Sequence, residues 1–205
     1  MLMIRHPLVF AVPFLNCVEY VEMLNKSLEY KMKAINKAEQ EGDWHRYVWM
    51  HERPYRLYAL IELQMKADKL PADLVADVYI DSENIWQNIQ EWSMVLADFK
   101  HLELCNKKEK LFIKSLPNKV DIYRGTNREM LKKRGTDPQL SWTLNKKRAI
   151  WFASRHARED QVLLHMEIDK KDIFQYFSGR GEEEVLTHPY EEPTNYKEVK
   201  ICVTI

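Results

Sequence analysis

Residues 117–125 read PNKVDIYRG. Pro117 closes a long stretch of helical apolar spacing, and directly after it the period drops to two: Val120 and Ile122 alternate with Asp121 and Tyr123. That period belongs to a strand with one buried face. By the same alternation Arg124 falls on the face of Val120 and Ile122, the apolar one. A cation at the end of an apolar strand face must reach a polar cleft or an ion pair, because burying it alone is too costly. Strand-end pairing of Arg with Glu is the plainer of these two outcomes.

Outward from this stretch, period-two alternation recurs at Val162, Leu164, Met166 and Ile168, and again at Val199, Ile201 and Val203. Four of the five glycines also fall after Pro117, as turns between short strands require. Lys146 to Ser154 is the convincing helix of this part. Upstream, from about residue 15 to 116, apolar residues recur at threes and fours: Val21, Leu24, Leu28, Met32 and Ile35; Tyr55, Tyr58, Ile61 and Met65; Ile85, Ile89, Trp92, Leu96 and Phe99. Gly42 and Asp43 are placed to stop one helix and cap the next, and Pro54 and Pro71 to open two others. The expected fold is α+β: a helical N-terminal region over 1–117, then a β-rich region over 118–205. The helical part serves as support for a small β core, or as a recognition or partner-binding region; small β domains bury little apolar area alone, which favours support.

The chain has 205 residues, with 31 basic and 31 acidic side chains, so its formal net charge is zero. No overall electrostatic footprint for nucleic acid exists. The balance is not uniform, however: Lys119 to Asp160 holds 11 basic and 5 acidic residues. Cys17, Cys105 and Cys202 are scattered without a CxxC, which argues against a disulfide framework and a zinc site and fits a reducing compartment. His45, His51, His101, His156, His165 and His188 show no ligand spacing, so no metal is expected. The apolar run near the N-terminus is interrupted by Pro7, Pro13 and Asn16 without a small-x-small cleavage pattern, and no stretch is long and apolar enough for a bilayer. A cytoplasmic chain that does not enter the membrane is expected. The absence of GxGxxG argues against a Rossmann oxidoreductase.

Two further stretches carry chemistry. Ser141-Trp142-Thr143 reads as a short polar strand leading into LNKKRAIWFA, a helix with Ala149, Phe152 and Ala153 inward. Ser178 to Pro189 reads SGRGEEEVLTHP. If Glu182 to Leu186 is extended, Glu182, Glu184 and Leu186 share one face while Glu183 and Val185 take the other.

YRG, then SWT followed by AxxFA, then GEEEVL resembles the R-S-E class of mono-ADP-ribosyltransferases, over roughly residues 118–205. The class pattern is an arginine ending the first core strand, Ser-x-Ser/Thr on the next, and Glu-x-Glu or Gln-x-Glu before an apolar pair. Here Trp142 and Thr143 replace the last two residues of Ser-Thr-Ser, and the segment between Ala153 and Val162 is short. The resemblance implies a compact split β-sandwich and NAD as a substrate cleaved at its nicotinamide–ribose bond, with no metal. It makes Glu184 the catalytic glutamate, Arg124 the holder of a ribose or phosphate, Ser141 the residue that orients Glu184, and Glu182 the residue that positions or deprotonates the acceptor. Arg124, Gly125, Ser141, Trp142, Thr143 and Phe152 would line the NAD site; Trp151, Tyr176 and Phe177 are further rings near it.

In this class Glu at the position of Glu182 goes mainly with arginine acceptors, which implies a protein acceptor. RNA or DNA is the alternative, through the basic run Lys132, Lys133, Arg134, Lys146, Lys147, Arg148, Arg155 and Arg158. The resemblance suggests a bacterial or phage toxin, defence or host-modifying enzyme, with an antitoxin or inhibitor as a partner. An NAD glycohydrolase and a catalytically inactive binding module of the same fold are the competing expectations.

Overall fold

A computed structural model describes residues 6–9, 18–83, 85–133, 140–156, 160–187 and 195–199. The chain divides into two compact units, Met1–Val95 and Leu96–Ile205. The architecture is mixed: a helical N-terminal region, then helices with an antiparallel sheet. Among the described residues no helix is long and apolar enough to cross a membrane.

The first unit contains α1 (Val18–Glu41), α2 (Trp44–Trp49), α3 (Arg56–Gln64), α4 (Ala72–Asp81) and most of α5 (Ile89–Ala97). Gly42 takes φ +68 just past α1, and the Asp43 side chain accepts the Arg46 N–H at 3.1 Å to cap α2. Pro54 lies in a 3-10 turn, Arg53–Tyr55, that leads into α3, and Pro71 immediately precedes α4. Val48, Leu60, Leu63, Leu74, Val75, Val78, Tyr79 and Trp92 are buried, and Tyr79 meets Trp92 edge-on with centroids 4.9 Å apart.

The helices stand where the spacing placed them, but α3 buries a different face and α1 only part of the expected one. In α1 Ala34 and Ala38 are buried and Leu24, Leu28 and Ile35 of the expected stripe are partly buried beside them, while Val21 and Met32 are about half exposed. In α3 the buried set is Leu57, Ala59, Leu60 and Leu63, while Tyr58 is partly exposed and Met65 fully so, just beyond the helix end. Helix α3 carries two apolar stripes, and the leucines rather than Tyr58 and Met65 occupy the core. The stripe over 85–99 is also divided: a 3-10 turn spans Ile85–Asn88, α5 follows, and Phe99 lies beyond its end.

The second unit contains α6 (Lys107–Ser115), β1 (Lys119–Asn127), α7 (Arg128–Lys133), β2 (Ser141–Thr143), α8 (Lys146–His156), β3 (Gln161–Asp169), β4 (Gln175–Phe177), β5 (Glu184–Leu186) and β6 (Lys197–Val199). The strands form one six-stranded sheet in the order β4-β5-β2-β1-β3-β6, every pair antiparallel. Ile201 and Val203 lie outside the described residues.

The β1–β3 register fixes both faces. Val120 opposes Ile168, Ile122 opposes Met166 and Arg124 opposes Leu164. This face joins Trp142, Val185, Tyr176, Ile173 and Ile113 of α6 in the core. On the other face Gly125 opposes Leu163, which is fully buried, and α8 crosses there. A Cβ on Gly125 would collide with the carbonyl oxygen of Ala149 and lie 2.5 Å from the backbone nitrogen of Ala153. The helix thus rests its backbone on the strand through small residues four apart.

One edge of the sheet is tied by buried polar groups. The fully buried Gln175 side chain accepts the Leu104 N–H at 3.0 Å and donates to the Lys100 carbonyl at 2.8 Å. The Tyr176 N–H points to the Cys105 sulfur at 3.2 Å. Burial pushes the Cys105 thiol up to about 11. It also pushes the Tyr176 phenol up to about 12, with Glu183 adding to the shift.

Two outcomes follow from this packing. Gly125→Ala should cost at least about 3 kcal/mol in urea unfolding, or prevent folding, because the obstruction is helix backbone that cannot rotate away. The second concerns alkaline pH. An acid whose folded pKa is raised contributes stability below its unfolded pKa and loses it as pH rises through the folded value. For Cys105 the window runs from 9.0 to about 11. The thiol should account for a fall of about 3 kcal/mol across it, and Cys105→Ala should remove that share and leave the fall due to Tyr176, between 10.0 and about 12.

Candidate active site

Strand β2 is three residues long and lies between β1 and β5. Its alternation separates its side chains. Trp142 turns into the core, 2% exposed, whereas Thr143 opposes Tyr123 on one side and Glu184 on the other. Ser141, two residues before Thr143, shares the face of Thr143 and Glu184. As diagonal neighbours Ser141 and Glu184 meet: the Ser141 hydroxyl donates to Glu184 Oε1 at 2.5 Å. Arg124 comes from the core face of β1, and its guanidinium donates to the Ser141 carbonyl. One residue therefore links the other two, its backbone receiving the arginine and its side chain holding the carboxylate. Glu184 is buried, 6% exposed, and a carboxylate in that setting needs such a donor.

Glu182 does not share the strand. β5 begins at Glu184, and Glu182 has φ −92, ψ −11, a helical rather than extended conformation. The alternation expected from residue 182 to 186 fails because the backbone turns sharply first: Arg180 has φ 60, Gly181 φ 64 and Glu183 φ 47. The Glu182 carboxylate is partly exposed and lies 3.8 Å from the Arg180 guanidinium.

The junction between β2 and α8 holds this turn by three successive carbonyls. Arg148 donates to Gly181 at 3.2 Å, the Thr143 hydroxyl to Glu182 at 2.6 Å, and the Leu144 N–H to Glu183 at 3.1 Å. The Thr143 oxygen also accepts the Asn145 N–H, and the Asn145 side chain caps α8 at the Arg148 N–H. At the start of the turn, the N–H and hydroxyl of Ser178 both donate to the buried carboxylate of Glu109, at 2.8 and 2.9 Å. Glu109 also accepts the Asn106 N–H in the capping box of α6. Sequence reading missed Glu109, Asn145 and the backbone role of Arg148. The Asn106-x-x-Glu109 spacing was a visible signal for a helix start, though not for its bond to Ser178.

Of the other expected site residues, Gly125 lies under α8 and Phe152 is half-buried, its ring 5.1 Å from Trp151. Phe177 opposes Glu184 from β4 and is buried, and Tyr176 stands in the core. Tyr123 stacks on His165 at 5.0 Å, and His165 Nε2 lies 2.6 Å from the Asp121 carboxylate. Burial and Asp121 push the Tyr123 phenol up. Lys146, Lys147, Arg148 and Arg155 stand on α8. Arg134, Arg158 and His188 lie outside the described residues, as do the side chains of Lys132, Lys133 and His156. Among the described residues no group of three His, Cys, Asp or Glu side chains is placed to hold a metal.

No known protein family, curated protein or solved structure matches the chain.

Glu183 carries a left-handed backbone on a residue with a Cβ, an arrangement that disfavours β-branched side chains most. Glu183→Val should lower stability by about 1–2 kcal/mol, whereas Glu183→Gly should leave it equal or higher. Both remove the charge, so the difference between their thermal midpoints isolates the backbone.

Proposed function

We propose that the β-rich part of this chain, residues 118–205, is the catalytic core of a mono-ADP-ribosyltransferase of the R-S-E class that takes NAD as substrate, although its described strands form one sheet rather than the two of the expected split β-sandwich. The observation that supports it most is the link through Ser141. Arg124, Ser141 and Glu184 come from three strands, with 17 and 43 residues separating the bonded pairs, yet they form one hydrogen-bonded chain. The resemblance between short motifs did not require that contact.

The bond that breaks joins the ribose C1′ to the nicotinamide nitrogen, and nicotinamide leaves with the bonding pair. Positive charge then develops on the sugar as an oxocarbenium-like species. A carboxylate held beside it stabilises the transition state more than the ground state, and only that difference accelerates the step. Glu184 is suited to this role because Ser141 fixes its orientation before substrate arrives. A guanidinium offers five donors, so the bond from Arg124 to Ser141 is compatible with holding a ribose or phosphate oxygen. The acceptor lone pair forms the new bond to C1′ and its proton passes to a base. Glu182, partly exposed in the turn before Glu184, is the carboxylate we assign to that task. Trp142 and Gly125 enter this scheme as supports: one fills the core behind β2, the other admits α8.

The test is consumption of NAD labelled in its adenylate part, with products separated as modified macromolecule and free ADP-ribose. Glu184→Gln should slow consumption by at least about 100-fold without lowering the melting temperature. Ser141→Ala should slow it by about ten-fold, the worth of one orienting hydrogen bond to a charged group. Free ADP-ribose as the only product would identify a glycohydrolase. No consumption by folded wild-type protein, or equal rates in the Glu184→Gln protein, would overturn the assignment.

A further inference from the structure

Helix α8 presents cations and an exposed indole on its solvent face. Its sequence, KKRAIWFASRH, contains no acidic residue. Ala149 and Ala153 are buried, which leaves Lys147, Arg148, Trp151 and Arg155 on the outer side. Trp151 is 48% exposed. The Arg148 guanidinium lies 5.6 Å and that of Arg155 5.5 Å from its ring centroid, one a helical turn before it and the other a turn after. The cationic residues are also misplaced for helix stability. Lys146, Lys147 and Arg148 fill the first turn, where the helix dipole favours negative charge. An anion bound there relieves this conflict. The guanidiniums lie over the indole in the free protein, so a base would stack on Trp151 as Arg155 swings from the ring to a phosphate; ring and cations then supply a stacking surface and phosphate donors together. Arg148 also reaches the Gly181 carbonyl, so the face runs directly into the turn that precedes Glu184.

We propose that this face of α8 binds single-stranded nucleic acid, with a base stacked on Trp151 and phosphates held by Lys147, Arg148 and Arg155, and that the bound strand is the acceptor. The acceptor half rests on the transferase function proposed above; the binding half does not. A single strand fits better than a duplex because its unpaired bases expose their faces to an aromatic ring. A protein acceptor would leave the acid-free cluster without its complement unless the docking segment were itself acidic.

Binding is measured first on the full chain without NAD, by fluorescence anisotropy of labelled oligo(U) and oligo(dT) strands of about twelve nucleotides, a length within the usual single-strand site size. Trp151→Ala should weaken binding by roughly 5- to 150-fold, the range for loss of one stacked base, and Trp151→Phe should retain most of it. The logarithmic salt dependence should have a slope of about −2 for three phosphate contacts. Arg155→Gln should reduce its magnitude by about 0.7. Trp151 is on the surface, so unchanged melting temperatures will separate these effects from misfolding. No binding, equal affinity of the Trp151→Ala protein, or tighter binding of a duplex of the same sequence would each overturn the proposal. Labelled NAD is then added: label on the strand supports the acceptor half, and label only on added protein overturns it. Trp151-dependent binding without NAD consumption would sustain the surface and sink the transferase function.

Discussion

Helix α8 can lie against strand β1 only because residue 125 has no side chain. The backbone of Ala149 and Ala153 occupies the space a Cβ would need, so helix and strand meet main chain to main chain. That approach fixes more than a packing distance. The N-terminus of α8 is capped by Asn145, which is bonded through its own N–H to Thr143 at the end of β2. From the same few residues come the donors to the carbonyls of Gly181, Glu182 and Glu183. Movement of α8 away from β1 would disturb the cap, the end of β2 and the turn before Glu184 together. Glycine in YRG therefore acts on the carboxylate indirectly, by deciding where a helix can rest.

The turn between β4 and β5 shows the opposite use of backbone freedom. Two non-glycine residues, Arg180 and Glu183, hold positive φ in it. Such conformations cost about 1–2 kcal/mol each and persist only where the surroundings determine them. Here the surroundings are identifiable: Glu109 fixes the start of the turn through Ser178, and the β2–α8 junction fixes its end. The result is a sharp entry into β5 that delivers Glu184 to Ser141 and leaves Glu182 outside the strand beside Arg180. Three consecutive glutamates thus meet three environments: one at a partly exposed ion pair, one in a left-handed bend near Tyr176, one buried on a hydroxyl.

Much of this was legible in the chain because it depends on period and punctuation. The change from helical to alternating spacing at Pro117 marks β1, the alternation around Leu164 marks β3, and Gly42-Asp43 marks the break between α1 and α2. The choice of buried face was less legible where a helix carries two apolar stripes. In α3 the competition between Tyr58 and Leu60 is settled by what packs on them, which spacing does not encode. The candidate site divides in the same way. The meeting of Ser141 with Glu184 follows from the alternation of β2 and β5, whereas Arg124 stands on the other face of the sheet and reaches Ser141 only at its backbone carbonyl. The place of Glu182 does not, since alternation holds only while the backbone stays extended, and two left-handed residues precede it. Trp142 looked like a site residue by position alone; the pleat sends it to the core because its neighbours at 141 and 143 face the other way.

Charge follows a different logic from packing. Over the whole chain 31 cations balance 31 anions, and many pair locally, as Lys119 with Asp169 and Arg128 with Glu198 do. Helix α8 departs from this pattern within a single element. Reversing the preferred sign in the first turn of a helix costs about 0.3–1 kcal/mol per charge at an exposed site, and a stabilising sequence would place Asp or Glu there. The same element sits in backbone contact with β1 and braces the turn before Glu184. Retaining Lys146, Lys147 and Arg148 at its start, with Trp151 outward beyond them, makes physical sense if an anion completes the helix N-terminus.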